Sequence, residues 1–204
     1  MLCDEKSIDT YSCMPSEPCT KCELYKTRKH VVEGAGDLAA RIMLIGEAPG
    51  RNEDEQGVPF VGAAGKRLTA LLEDTGIRRE DIYITNILKC RPPNNRDPEP
   101  QEIKACTPYL NDQIEHIDPH VLVTLGNFAT RYILKTNESI TALHGRLFKG
   151  KKRYVYPVYH PAAAIYDPSK QQALELDFKR LDAFLRQRMS EAPTKDSHEH
   201  QENV

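Results

Sequence analysis

The chain has 204 residues, 39% of them apolar and 28% charged, and its formal net charge is -2. A chain of this size and composition can bury a full hydrophobic core as one domain without disulfides or a metal. The near-neutral charge excludes a uniformly basic, histone-like binder, so any contact with nucleic acid must be local. No stretch approaches the roughly 20 apolar residues of a membrane span, and the acidic N-terminus lacks the pattern of a signal peptide. We therefore expect an intracellular, cytoplasmic protein.

Apolar, β-branched runs alternate with helical patterns along the chain. The runs predict strands over residues 41–47, 81–88, 120–126 and 153–159. The helical patterns cover residues 65–76, 98–117, 127–134 and 171–189. Asp97 is predicted to cap the second helix, and Pro108 to kink or split it. This alternation is typical of a parallel sheet covered on both faces. The sequence therefore predicts an α/β fold, a three-layer α/β/α domain with a central, mainly parallel sheet of about four strands.

Four cysteines have the spacing of a metal site. Cys19 and Cys22 form a C-x-x-C pair, and Cys90 and Cys106 flank a loop with too many prolines for a helix or a central strand. In a reducing compartment, cysteines at such spacing are more typical of ligands than of disulfides. Four thiolates suit either a tetrahedral zinc ion or a cubane iron-sulfur cluster. We therefore predict a metalloprotein.

The domain is predicted to span residues 19–189. Residues 1–18 are interpreted as an N-terminal arm, in which Cys3 and Cys13 are incidental thiols. The alternative, with Cys13 replacing Cys19 as a ligand, stays open. Residues 190–204 have no apolar periodicity and are predicted to form a disordered tail.

The predicted carboxyl ends of the strands carry unusual residues, and ligands of open parallel sheets bind outside these ends. The turn at Glu47 is glycine-rich but acidic and lacks the lysine of a Walker loop, which disfavours a nucleotide phosphate. Phe60 offers an aromatic face, Asn86 an amide that both donates and accepts, and His160 an imidazole. Phe60 as a satellite core residue and His160 as a structural histidine remain alternatives. Together the three residues favour a pocket for a nucleobase.

Several motifs, in order along the chain, resemble the family 4 uracil-DNA glycosylases, the iron-sulfur branch of that superfamily. They are CTKC, GEAPG with the acidic stretch and PFVGAAG after it, TNILKCRPP with the second cysteine spacing, LGNFA, LHGR and YHPAA. The resemblance runs from about Cys19 to Leu185. It implies a DNA repair enzyme that flips uracil out of DNA, hydrolyses the N-glycosidic bond, and leaves free uracil and an abasic site.

The resemblance also implies roles for single residues. A structural [4Fe-4S] cluster would be held by Cys19, Cys22, Cys90 and Cys106. The uracil pocket would be lined by Gly46, Glu47, Ala48, Glu53, Phe60, Asn86 and His160. Within it, Phe60 would stack on the base, Asn86 would bind its O4 and N3–H edge, and His160 would face O2. Glu47 would position or activate water, and Glu53 would occupy the space of a thymine methyl group.

Contacts with DNA follow from the same resemblance. The densest basic run, residues 144–153, fits either a solvated hairpin or a surface that contacts phosphates. The resemblance favours phosphate contacts, which we assign to Arg91, Arg96, His144 and Arg146, with Ile165 or Tyr166 as the wedge that fills the gap left by the base. We expect a monomer whose partner is uracil-containing DNA, and contact with replication or repair factors stays open.

Two rival functions remain at this stage. One is a zinc- or cluster-containing module that binds nucleic acid without catalysis, and the other is an inactive sensor of uracil on the same fold. The GEAPG turn also differs from the GEQPG turn of a covalently trapping relative, and the insertion that carries the relative's nucleophilic histidine is absent. We therefore expect turnover rather than covalent attachment to DNA.

Overall fold

The computed structural model of the chain describes residues 19–191, with side chains up to Arg188. The predicted arm, residues 1–18 with Cys3 and Cys13, and residues 192–204 of the predicted tail lie outside the described residues. No helix of the described part is long and apolar enough to cross a membrane.

The described residues form a mixed sheet of six strands in the order β1-β3-β2-β4-β6-β5. The strands are β1 (Ala35–Gly36), β2 (Ile42–Gly46), β3 (Tyr83–Asn86), β4 (Val121–Leu125), β5 (Phe148–Lys149) and β6 (Tyr154–Val158). The four central strands run parallel, which confirms the predicted fold class. The predicted count of about four is corrected to six, because β1 and β5 add an antiparallel strand at each edge. Each edge strand has two residues, too few to show an alternating pattern.

Six α-helices lie in the described part of the chain. They are α1 (Arg51–Gln56), α2 (Ala63–Asp74), α3 (Pro100–Ile117), α4 (Asn127–Leu134), α5 (Ile140–Leu143) and α6 (Pro168–Glu191). The sequence predicted α2, α3, α4 and α6 and missed the two shortest helices. Helix α6 continues through Glu191 and so includes the first two residues of the segment predicted as a tail.

Helix α3 begins and continues differently from the prediction. Its cap is Glu99 rather than Asp97, because the backbone N–H of Glu99 donates to the Glu102 carboxylate at 2.8 Å in a capping box. Pro100 then occupies the first helical position, where its missing N–H costs nothing. Pro108 does not split the helix. Its neighbours Thr107 and Leu110 are buried, and Leu110 packs in one cluster with Met43 of the sheet, which offsets one lost backbone hydrogen bond.

The helices cover both faces of the sheet. Successive strand residues point to opposite faces, so Met43 and Leu44 enter different hydrophobic clusters. Helices α2 and α6 pack on the side of Leu44, and α3 and α4 pack on the side of Met43. All residues of the central strands β2, β3 and β4 are buried. This rigid centre fixes the loops that leave its carboxyl edge.

Candidate active site

A cavity of about 510 Å³ opens at the carboxyl edge of the parallel strands. Pockets of this size hold small molecules. Of the residues predicted for the base pocket, those lining the cavity are Glu47, Ala48, Glu53, Phe60, Asn86 and His160. Gly46 lies behind the cavity wall rather than in it. The structure therefore brings together side chains that are more than a hundred residues apart in the sequence.

Gly46 and Asn86 face each other at the ends of the adjacent strands β2 and β3. A Cβ atom on Gly46 would overlap Oδ1 of Asn86 and lie 2.7 Å from Cζ of Phe60, so only glycine leaves room for both. Asn86 is 2% exposed, and its Oδ1 is buried without a hydrogen-bond partner. A buried acceptor without a partner costs about 1–3 kcal/mol. The acceptor is thus available to a ligand N–H.

The Phe60 ring lies beside His160, with the ring centroids 5.8 Å apart and the planes tilted by 31°. Phe60 has a φ of 54°, in the left-handed region that residues with a side chain rarely adopt. Glu53 supports the next part of this loop, because its Oε1 accepts hydrogen bonds from the amides of Val61 and Gly62 at 3.0 and 2.8 Å. Glu53 therefore lines the cavity and also holds the loop that follows Phe60.

Glu47 is half-buried in the turn that follows β2. Burial raises the pKa of its carboxyl to about 7, and the nearby charge of Asp97 adds to this effect. A carboxyl with a pKa near neutrality can exchange a proton at physiological pH. No pattern in the sequence predicts that Asp97 lies near this carboxyl.

His160 follows β6 and begins a short helical turn over Pro161–Ala164. Burial lowers the pKa of its imidazole to about 4, with the charge of Glu53 opposing the shift. The imidazole is therefore neutral at neutral pH. Its Nδ1 accepts a hydrogen bond from the amide of Ala162 at 3.2 Å, which leaves the ring proton on Nε2 as a donor. Gly126, in the LGNFA motif, supports His160 from behind, since an added Cβ would lie 3.1 Å from the histidine Cβ.

The four cysteines meet in a second cavity next to the first. Cys19, Cys22, Cys90 and Cys106 all line it. In the described residues, no group of three or more His, Cys, Asp and Glu is placed to hold a single metal ion. The four cysteine side chains thus line one common cavity.

Donors surround these sulfurs. The guanidinium of Arg28 lies 3.6 Å from Sγ of Cys90, and the backbone N–H of Lys89 donates to Sγ of Cys106 at 3.2 Å. Burial raises the pKa of the Cys90 thiol to about 12, while Arg28 opposes the shift. Hydrogen bonds to the ligating sulfurs are among the features that tune iron-sulfur clusters, so the four cysteines and these two donors fit such a cluster.

Lys89 connects the two cavities. Its side chain is completely buried, although lysine is among the residues that are most often exposed. Its Nζ donates to Oγ1 of Thr85, the carbonyl of Asn86 and Oε1 of Gln113 at 2.6, 2.7 and 2.6 Å. Burial lowers the pKa of the ammonium to about 7. Lys89 therefore holds the backbone between Asn86 and Cys90 instead of facing solvent.

Two of the arginines assigned to DNA lie beside the base cavity. Arg91 donates to Oδ1 of Asn95 at 2.7 Å. Arg96 lines the cavity and binds the buried carboxylate of Glu102 through two hydrogen bonds of 3.0 and 2.6 Å. Much of the charge of Arg96 is therefore offset within the protein.

The other residues assigned to DNA contacts lie after β4 and β6. The His144 ring stacks on Tyr159, and its Nδ1 lies 2.7 Å from the buried carboxylate of Asp177. Arg146 lies over the ring of Phe148, on the hairpin formed by β5 and β6. Ile165 is 40% exposed, whereas Tyr166 is 90% exposed. Tyr166 is thus free to reach a partner, and His144 faces inward.

Sequence reasoning missed Arg79, which contacts the Phe60 loop from 19 residues downstream. It also missed Asp54, a buried carboxylate that accepts the amide of Lys29 at 2.9 Å and ties the first cysteine segment to α1. Neither residue stands in a recognisable pattern.

The fold and the cavity define a class: an α/β domain with an aromatic ring, an amide and a neutral imidazole in the wall of one cavity, and with four thiols in the wall of a second. The family model of the uracil DNA glycosylase superfamily matches residues 33–186. The chain belongs to this superfamily.

Individual relatives refine this assignment. The type-4 uracil-DNA glycosylase of Saccharolobus solfataricus is 52% identical over 172 residues, which cover 80% of each chain. That of Archaeoglobus fulgidus is 49% identical over 171 residues, which cover 80% of this chain and 86% of the relative. That of Thermotoga maritima is 47% identical over 157 residues, which cover 75% of this chain and 81% of the relative. The resemblance to family 4 inferred from the motifs is confirmed.

Proposed function

We propose that the chain is a uracil-DNA glycosylase that extrudes uracil from DNA and hydrolyses its N-glycosidic bond. The observation that carries the proposal is the unpaired, buried Oδ1 of Asn86 in a cavity shared with Phe60 and His160. The names of the type-4 relatives support the same activity. Its substrate, chromosomal DNA, lies in the cytoplasm of prokaryotic cells such as those of the relatives, and we place the protein there.

Recognition of the base uses the face and one edge of the pyrimidine. Phe60 stacks on the face, and Oδ1 of Asn86 accepts the N3–H while its amide nitrogen donates to O4. Gly46 gives Asn86 the space for this orientation, and the backbone at Ala48 closes the wall. Glu53 stands where a thymine methyl group would project, and it also keeps the Phe60 loop in place.

Cleavage leaves positive charge on the deoxyribose and negative charge on the departing uracil. A donor at O2 lowers the barrier because it stabilises charge that develops only in the transition state. The Nε2–H of neutral His160 is that donor. The Glu47 carboxylate positions or activates the water that attacks C1′. Uracil leaves as an anion, so a second carboxylate acting as an acid is not required.

We also propose that Cys19, Cys22, Cys90 and Cys106 hold a [4Fe-4S] cluster. The donors aimed at the sulfurs, from Arg28 and the Lys89 backbone, support this assignment. When bound, the cluster would supply structural bracing for the loop between Cys90 and Cys106 rather than reactivity. The chain's own part is to hold that loop, including Asn95 and Arg96, beside the base cavity.

DNA binding would use positive groups around the cavity and an exposed wedge. Arg91, Arg146 and the exposed lysines of the basic hairpin would contact phosphates. Arg96 and His144 would contribute less, because each binds a buried carboxylate of the protein. Of the two wedge candidates, the high exposure of Tyr166 supports it over Ile165.

A panel of labelled oligonucleotides tests the proposed activity. We expect release of uracil from U·G, U·A and single-stranded substrates, with U·G preferred over U·A because a mispair costs less to open. Thymine opposite guanine should not be released, and hypoxanthine tests the breadth of the pocket. Absence of abasic product from U·G DNA, with protein in excess and full iron content, would refute the enzyme and favour a binding module or sensor.

Colour and iron content test the cluster. Freshly purified protein should be brown with broad absorption near about 400 nm, whereas a zinc protein is colourless. Cys19→Ser and Cys90→Ser should each lower the iron content, and the matched Cys13→Ser should not. Loss of iron in Cys13→Ser together with its retention in Cys19→Ser would instead identify Cys13 as the ligand.

The pH dependence of the chemical step tests Glu47. Its raised pKa means that the carboxylate is present above pH of about 7 and is lost as the pH falls through 7. The single-turnover rate should therefore fall by about tenfold per pH unit below this value. Asp97→Asn should move the midpoint to lower pH, because Asp97 helps to raise the pKa. An unchanged acid limb in Glu47→Gln would exclude this role.

A further inference from the structure

The backbone that presents Phe60 is held in an unfavourable conformation. Phe60 has a φ of 54° although it carries a large side chain, and that side chain is only 7% exposed. Such a conformation persists only where the surroundings fix it, and it is frequent at ligand sites. The groups that hold this peptide therefore determine where the aromatic ring lies.

Arg79 is the side chain that binds this peptide from outside the loop. Its Nη2 donates to the carbonyls of Pro59 and Phe60 at 2.8 and 3.1 Å, and its Nη1 donates to Oγ1 of Thr69 at 3.0 Å. One guanidinium thus joins two successive carbonyls to helix α2. The planar fork of donors makes this possible, and the single ammonium of a lysine does not reproduce it.

The other side of the same loop is bound by a carboxylate. Glu53 accepts hydrogen bonds from the amides of Val61 and Gly62, directly after the carbonyls that Arg79 binds. Helix α2 adds a steric limit, because a Cβ on Gly65 would overlap the carbonyl oxygen of Phe60. The Phe60 peptide is therefore fixed by a cation at its carbonyls and by an anion at the amides that follow.

We infer that Arg79 is a positioning residue for base stacking: it holds the Phe60 backbone in the left-handed conformation that places the ring against an extruded uracil. The inference rests on the proposed function. Arg79 lines no part of the base cavity and touches no base, so its effect on excision passes through Phe60. Its neighbour Arg78 is exposed and pairs with Asp81, and it serves as a matched control.

A double-mutant cycle tests the inference at constant pH with the iron-loaded protein. The variants are Arg79→Met, Phe60→Ala and their combination, measured as single-turnover excision of uracil from U·G DNA. Arg79→Met should lower the single-turnover rate constant by about 10- to 100-fold, the scale of losing one base–aromatic stack. In the Phe60→Ala background the same change should cost less than about twofold, because the ring it positions is gone. Arg78→Met should keep the wild-type rate.

Inhibition by free uracil gives a second readout. A loosened ring should weaken uracil binding to Arg79→Met, and Arg78→Met should bind as wild type. A merely structural arginine would lower the melting temperature and cost the same factor in both backgrounds. The inference would be overturned if Arg79→Met lost the same factor in rate in both backgrounds, or if it kept the wild-type rate. In either case, excision of uracil by the wild-type protein would leave the proposed function intact.

Two further outcomes are also decisive. If wild-type protein releases no uracil, the proposed function fails, and the stacking role of Arg79 fails with it. If Arg79→Met does not fold, the cycle is run with Arg79→Lys, which keeps the charge but loses the fork. The lysine variant should show the same dependence on Phe60, and additive losses would overturn the inference.

Discussion

Asn86→Ala should lose uracil excision by about 10³-fold or more, because a site built to hydrogen-bond one edge of a base depends on those bonds for its selectivity. Asn86 is the single amide in the cavity wall at a strand end, fixed in register opposite Gly46. Alanine removes the acceptor for N3–H and the donor for O4 together. The measurement is the single-turnover rate on U·G DNA with enzyme in excess.

The melting temperature and the DNA affinity of Asn86→Ala distinguish a role in base recognition from a role in folding. Oδ1 of Asn86 has no partner in the protein, so its removal relieves an unpaired buried acceptor. We expect the melting temperature of Asn86→Ala to stay level or rise, and affinity for undamaged DNA to stay unchanged. Asn94→Ala, on the exposed turn near the same cavity, is the matched control and should keep full activity. Full turnover by Asn86→Ala would remove Asn86 as the base reader.

The central fold could be predicted because its signals are local. The runs that became β2, β3, β4 and β6 are apolar and β-branched, and helices between them force parallel pairing. The edge strands could not be predicted, since β1 and β5 gain their hydrogen bonds only after the neighbouring strand is in place. The cap at Glu99 was missed for a related reason: several acids precede α3, and the reciprocal bond to Glu102 decides between them.

The candidate site also contains residues that the sequence predicts and residues that it does not. Phe60, Asn86 and His160 could be grouped because strand ends of a parallel sheet converge, and the structure brings them to one cavity. The residues that support them could not. Lys89 is a charged residue that is buried and binds the carbonyl of Asn86, while Arg79 reaches Phe60 across a turn that has no motif. Such contacts depend on packing, which sequence periodicity does not describe.

Residues that face the cavity and residues that lie behind them should differ in how substitutions affect folding. Oδ1 of Asn86, in the cavity wall, has no partner in the protein, so Asn86 is a group whose hydrogen bond is left to a ligand. The groups behind them, such as Lys89, have every bond supplied by the protein. Changes in the first set should alter catalysis with little effect on folding, and changes in the second set should alter both.

His160→Ala should slow the chemical step by about 10²- to 10³-fold, the scale of removing one preorganised donor to a developing anion. The donor is neutral: Nδ1 is occupied by the amide of Ala162, and burial keeps the pKa of the ring at about 4. His160→Gln, which retains a neutral N–H donor, should recover part of the rate. Binding of DNA with an uncleavable uracil analogue should change little in either variant.

The pH profile distinguishes a neutral from a charged imidazole. A neutral His160 with a pKa of about 4 contributes no change in rate between pH 5 and pH 9, and the donor is lost to protonation only as the pH falls towards 4. A charged imidazole would instead make the rate fall as the pH rises past its ordinary pKa of about 6.5. The test is the single-turnover rate of Glu47→Gln, in which the limb assigned to Glu47 is absent. A neutral donor would be contradicted by two results together. The rate of Glu47→Gln would fall between pH 6 and pH 8, and this fall would be absent in the Glu47→Gln, His160→Ala double variant.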